Sequence, residues 1–165
     1  MGMSGLAVCR WLEESRLGSG LASSSYMFPL VEGTHVLALA FSVGTVIWFD
    51  MRLLGVWMRH RPVSRVFGDL KPWMVGGFAV MFVTGALLFI SLATSVYVHP
   101  YFRIKMLLLA LAGLNVAVYT VTIDRRRHEW DNAPTPPLHA RIAGLASLLL
   151  WAGVIAAGRI MAYTL

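Results

Sequence analysis

Four long apolar runs, separated by short segments that collect almost all of the charge, set the pattern of this chain. The runs cover 30–49, 73–98, 106–123 and 142–158; with their flanking apolar residues they give expected spans of about 30–56, 73–98, 104–123 and 142–162. A hydrocarbon core takes ~20 helical residues to cross. Backbone inside it has to be hydrogen-bonded within a helix or a closed barrel. None of the runs alternates apolar and polar positions, so all four are expected as helices. The expected fold class is all-α: an integral membrane four-helix bundle over 30–165, preceded by a short interfacial segment over 1–29.

That first segment mixes Trp11, Leu12 and Leu17 with Glu13, Glu14 and Arg16, a pattern suited to a short helix lying along the interface. The Gly- and Ser-rich run 18–25 is expected to break it. No basic start precedes an apolar core in 1–8, so no secretory signal is expected. Leu6 occupies the position where a myristoylation pattern needs Ser or Thr. Pro134, Pro136 and Pro137 mark the clearest linker, just ahead of the fourth span.

Composition agrees with the pattern. Of 165 residues, 58% are hydrophobic and 13% charged, about half the charge of a soluble domain (roughly 25%). The net charge of +6 does not point to nucleic acid, because the basic residues sit in the gaps between apolar runs rather than on one patch. Cys9 is the single cysteine, so no internal disulfide is possible. No Cys/His cluster has zinc-site spacing.

Lys and Arg also predict orientation. Nine of them fall in 50–72 and 124–141, with Arg125, Arg126 and Arg127 in one cluster; five fall elsewhere, at Arg10, Arg16, Arg103, Lys105 and Arg159. The expected topology has both basic loops in the cytoplasm and both termini on the periplasmic side of a bacterial inner membrane. Small residues mark packing faces of the kind membrane helices use: Gly76, Gly77, Thr84 and Gly85 in the second span, Ala110, Gly113 and Ala117 in the third, Gly144, Ser147, Gly153 and Ala157 in the fourth.

Ionisable residues inside a span are costly, and each one is a functional hypothesis. Glu32 and His35 lie three apart on one helix face, an arrangement in which a carboxylate can orient an imidazole. His99, Lys105 and Arg159 are expected at a similar depth on neighbouring spans. Together they compose a candidate site for a b-type haem or a quinone. His35 is the expected iron ligand or quinone contact, His99 a second ligand, and Lys105 and Arg159 the anchors for anionic groups. The bland alternative keeps Glu32 and His35 as hydrogen-bonding residues of the bundle. Asn115, in the third span, is either inter-helix glue or a ligand contact. Asp50 is expected to pair with Arg141 or Lys71, and His60, His128 and His139 are expected in the basic loops.

The run 26–35, YMFPLVEGTH, and the run 50–55, DMRLLG, resemble a family of small bacterial four-helix membrane proteins with no assigned activity. Pro72, Thr84-Gly85, Lys105, Asn115 and Gly158-Arg159 extend the likeness over most of the chain from Tyr26 onward. More distantly, a histidine early in the first span with a lysine in a later one resembles the copper-resistance D proteins and the J-type protoporphyrinogen oxidases. That resemblance implies haem or porphyrin handling. Where such relatives carry a histidine near the end of the third span, this chain has Tyr119.

The expected function is a membrane redox subunit exchanging electrons between haem or quinone and a membrane or periplasmic partner. The alternative is a cofactor-free accessory subunit of a larger membrane complex, or one unit of a homo-oligomer. No nucleophile–base set, phosphate loop or metal motif is present in the sequence. A transporter is the weakest expectation, because the spans show no broken helices or membrane-deep row of charges.

Overall fold

The computed structural model describes residues 5–164. Two short helices, α1 (Gly5–Glu13) and α2 (Arg16–Ser23), precede α3 (Met27–Leu53) and α4 (Val63–Ser91). A one-and-a-half-turn helix, α5 (Ala93–Val98), leads into α6 (Pro100–Val118). α6 runs on as a π-turn at Tyr119–Ile123 and a 3-10 turn at Asp124–Glu129, and α7 (Leu138–Thr164) closes the chain. Among the described residues there is no sheet.

Four of these segments are long and apolar enough to cross a membrane: Met27–Leu53, Val63–Ser91, Pro100–Glu129 and Leu138–Thr164. Large apolar side chains stay uncovered along them, Leu37 at 72% and Phe82 at 63% exposure among them. Burying such a side chain is worth about 1.5–3 kcal/mol, so lipid has to supply what the fold leaves open. The chain is a multi-spanning membrane protein with an all-helical bundle fold.

α3 packs on α4, α6 on α7, and α3 on α7. Close approach is made where β-carbons are missing. Gly77 faces Ser42, Gly144 faces the backbone of Asp50, and Gly153 faces Leu108. In the third span the expected stripe is displaced: a β-carbon on Gly113 would meet nothing within 4 Å. Ala110 and Ala117 are exposed, and Ala112 is the buried position. A small residue therefore marked a packing face only where a neighbour came near it.

Three boundaries differ from expectation for physical reasons. α4 begins ten residues before Trp73 because its first turn is capped from far along the chain. The Asp131 carboxylate accepts the Ser64 amide at 2.7 Å and the Ser64 hydroxyl at 2.6 Å, and the Asp131 carbonyl accepts the Val63 amide at 3.0 Å. The second span ends at Ser91 rather than at residue 98, and the Glu13 carboxylate accepts the Thr94 amide at 2.9 Å as α5 starts. The N-terminal segment breaks at Glu14–Ser15, not in the Gly/Ser run, most of which is α2. There the Ser15 hydroxyl donates to the Leu12 carbonyl at 2.6 Å and accepts from the Gly18 amide at 3.1 Å.

The two ends of the bundle are built differently. α1, α2 and α5 cover the end where α3 starts. The opposite, arginine-rich end is braced by Arg52, whose side chain is fully buried. Its Nε donates to the Arg61 carbonyl and one terminal nitrogen to the Ala133 carbonyl, each at 2.9 Å. Arg52 thereby ties both inter-helix loops to α3. Gly55, at φ +70°, lets the first loop pass 3.3 Å from the Pro134 carbonyl, measured from where its β-carbon would stand. Glycine takes that left-handed position after a helix without strain.

Candidate functional site

His35 sits on α3 eight residues past Met27, ~12 Å along the helix axis. Its ring is half-buried against α4. Nδ1 lies 3.1 Å from the Met81 carbonyl and 3.0 Å from the Thr84 hydroxyl. A carbonyl only accepts, so Nδ1 carries the hydrogen. Thr84 in turn donates to the Val80 carbonyl at 2.7 Å, which leaves its oxygen free to accept from the imidazole. The tautomer is thus fixed by α4, and Nε2 is left as a bare acceptor. Gly85 makes room for the ring: a β-carbon there would stand 3.0 Å from Cε1.

Lys105 approaches from α6, five residues past Pro100. Its charge is near enough to act on the imidazole. Its ammonium and the last two carbons of its stem lie along Gly158 of α7, 3.7–3.9 Å from the position of a β-carbon there. Among the described residues it pairs with no carboxylate. Four helices therefore contribute to one level of the bundle: His35, Thr84 with Gly85, Lys105, and Gly158. All lie ~8–12 Å from their helix ends on the α1–α2 side. Thr84 and Gly85 stood in the sequence as small packing residues and, with Gly158, as part of the family likeness, and nothing local there linked them to His35.

The other expected site residues are engaged elsewhere. Glu32 is exposed, and the orienting of His35 falls to Thr84 and the Met81 carbonyl. His99 stands at the N-cap position of α6, where its Nε2 lies at hydrogen-bond distance, 3.1 Å, from the Thr164 hydroxyl and ties α6 to the end of α7. Arg159 is exposed and folds along its own helix, donating to the Tyr163 hydroxyl at 2.7 Å with its guanidinium 4.9 Å over that ring. Asn115 lies ~22 Å along α6 from Pro100, well below His35. Its amide donates to the Ala143 carbonyl at 3.0 Å, as a bridge between helices. His60, His128 and His139 belong to the arginine-rich end, and the described residues hold no cluster of three metal-ligating side chains.

A second polar group, at the arginine-rich end, was not anticipated as a unit. Asp50 is 3% exposed and faces Ser147 of α7. It does not reach Arg141 or Lys71, both of which are exposed. Tyr119, on the π-turn, packs edge-on against Phe49 at 6.0 Å. Asp124 pairs with Arg127 at 2.8 Å. In the loop beyond, burial would raise the Asp131 carboxyl, but the Ser64 hydroxyl and amide, with Arg127 and Arg52, hold it below the usual carboxylate range. Between the two polar levels lies an apolar layer of Ala38, Val43, Met81, Ala112, Trp151 and Val154.

The model of a family of unknown function (DUF6644) matches residues 9–164. No curated protein and no solved structure matches the chain.

Proposed function

From the premise that the chain belongs to that family of unknown function, we propose that it is a membrane redox subunit binding the head of a hydroquinone between His35 and Lys105. One observation carries the reading. The Met81 carbonyl commits Nδ1 as a donor, so Nε2 stands as a bare acceptor beside an ammonium that has no carboxylate partner among the described residues. Nε2 accepts a hydrogen bond from one hydroxyl of the ring. Lys105 donates to the oxygen at its far side. Thr84 and Met81 hold the imidazole in that orientation.

Electrons pass to or from a partner at the α1–α2 end, which faces the periplasm of a bacterial inner membrane in this reading, with the arginine-rich loops in the cytoplasm. The same nitrogen is the one an axial haem ligand uses. The hydroquinone is favoured because it needs only the acceptor and donor already paired here, whereas His99, the expected second ligand, is turned to Thr164.

The test is quinone extraction from the purified protein, a reduced-minus-oxidised spectrum, and titration with a short-chain hydroquinone. The expected result is saturable binding weakened at least about tenfold, ~1.4 kcal/mol, in His35→Ala and in Lys105→Met. A haem band lost in His35→Ala assigns the nitrogen to iron instead. Neither band nor binding removes the redox reading and leaves the accessory subunit.

A further inference from the structure

Four buried side-chain atoms at the arginine-rich end find no hydrogen-bond or ion-pair partner in the described residues: Asp50 Oδ2, a terminal nitrogen of Arg52, the Tyr119 hydroxyl and Trp130 Nε1. All four belong to side chains at least nine-tenths buried, with Asp50 at 3%, Arg52 at 0%, Tyr119 at 8% and Trp130 at 9% exposure. They lie in the last turn of α3, in the π-turn and in the loop beyond it. Tyr119 and Trp130 share a cluster with Phe49 and Leu53, the neighbours of Asp50 and Arg52 in the chain. Ala133, whose carbonyl holds Arg52, packs on the same cluster.

Buried polar atoms are nearly always satisfied, and each exception calls for an explanation. The mixture of types decides what satisfies these. Arg52 and Trp130 are donors, Asp50 is an acceptor, and Tyr119 is both. A monovalent cation would face the Arg52 guanidinium, and an anion would face the Asp50 carboxylate. Water meets donors and acceptors alike, and one buried water typically makes about three such bonds. The backbone adds an independent sign. Tyr119 opens the π-turn Tyr119–Ile123, with the Asp124 amide bonded back to the Tyr119 carbonyl. Such turns inside α-helices recur at functional sites.

We infer that a cluster of internal water surrounds Asp50 and Tyr119, and that through it the Asp50 carboxyl exchanges protons with the aqueous phase at the arginine-rich face. The groups facing this carboxyl are Ser147 on α7 and Tyr119 on the π-turn; Asp124, Arg127 and Asp131 act on Tyr119, and Arg52 on α3 is set against Asp131. Arg65, Asp69 and Lys71 on α4, and His139 and Arg141 on α7, are exposed and point away from the cluster. The exchange moves a proton only: water gives it up, and Asp50 passes from carboxylate to carboxylic acid. This site is independent of the His35 reading, from which the apolar layer separates it.

The experiment is infrared difference spectroscopy of the full chain in bilayers, in light and heavy water, without any quinone. The expected result is a carboxylic acid C=O band that is absent in Asp50→Asn, shifts in heavy water within the time of mixing, and moves in Tyr119→Phe. If Asp50→Asn fails to fold, Asp50→Glu is expected to displace the band instead. No Asp50-dependent band overturns the proposal, as does one that keeps its light-water position for hours. A band indifferent to Tyr119→Phe overturns the shared water cluster. Each result is read without ligand, so it stands or falls apart from hydroquinone binding.

Discussion

His35 and Asp50 lie fifteen residues apart on α3, ~22 Å along its axis, and their surroundings differ in kind. His35 has one firm attachment, through Nδ1 to α4, with two glycines beside it and a lysine that pairs with no carboxylate among the described residues. Asp50 is shut in by three helices at an end where Arg52 and Asp131 brace the loops. The first region keeps polar atoms available where glycines let a ring and a lysine lie close to the neighbouring helices. The second buries more polar atoms than the protein itself satisfies. The difference separates two uses of intramembrane polarity: a site that receives something, and a frame that fixes loops while enclosing water.

That comparison predicts where substitution costs stability and where it costs binding. The largest effect is expected at Arg52. Arg52→Ala leaves the Arg61 and Ala133 carbonyls unsatisfied and should lower stability by roughly 2–5 kcal/mol in a detergent melt. A change within error would deny that the arginine-rich end is the braced one. Next comes Gly144→Val. A β-carbon there stands 3.2 Å from the Asp50 carbonyl oxygen, and backbone gives way poorly, so about 1–3 kcal/mol is expected. Gly113→Ala, in open space, is the matched control and should be neutral or slightly stabilising.

Asp131→Asn should cost about 1 kcal/mol as the loss of a charged cap on α4. Its pH dependence has a definite sign. The folded carboxyl is held below its unfolded value of ~3.9. The stabilisation is therefore complete above that value and is lost as pH falls through the lower folded one. Acid melts of wild type and Asp131→Asn should converge, and a gap that persists in acid would deny the ionic cap. The smallest effect is expected for Glu13→Gln, about 0.5 kcal/mol or less. The Thr94 hydroxyl and amide hold this half-buried carboxyl below its ordinary range, and salt should erase the difference. His35→Ala should likewise change stability little while weakening hydroquinone binding at least about tenfold. A large loss of stability there would collapse the distinction between the two regions.

The spans were legible because ~20 apolar residues in a row have one economical structure in lipid. His35 and Lys105 were legible for the converse reason: an ionisable group at the margin of such a run stands out. What Glu32 did was not legible. Spacing put it on the face of His35, but the partner of the ring is a carbonyl of α4, and a carbonyl has no signature in sequence. Asp50 and Arg52 read as membrane-edge residues, since a charge near the end of a span is ordinarily an anchor, and Tyr119 stood only where distant relatives carry a histidine. Their burial comes from loops folded back over the helix ends, held by Asp131 and Gly55, and such long-range closure leaves no local pattern. The early start of α4 was missed for the same cause.

The central claim is that α4 fixes the His35 tautomer and leaves Nε2 to a ligand beside Lys105. Nitrogen NMR of histidine-labelled protein, with His35→Gln to assign the signal, tests it most directly. The account predicts a protonated Nδ1 and a bare Nε2 whose resonance moves saturably as hydroquinone is added, and less so in Lys105→Met. A protonated Nε2, or a resonance that hydroquinone leaves in place, would contradict it.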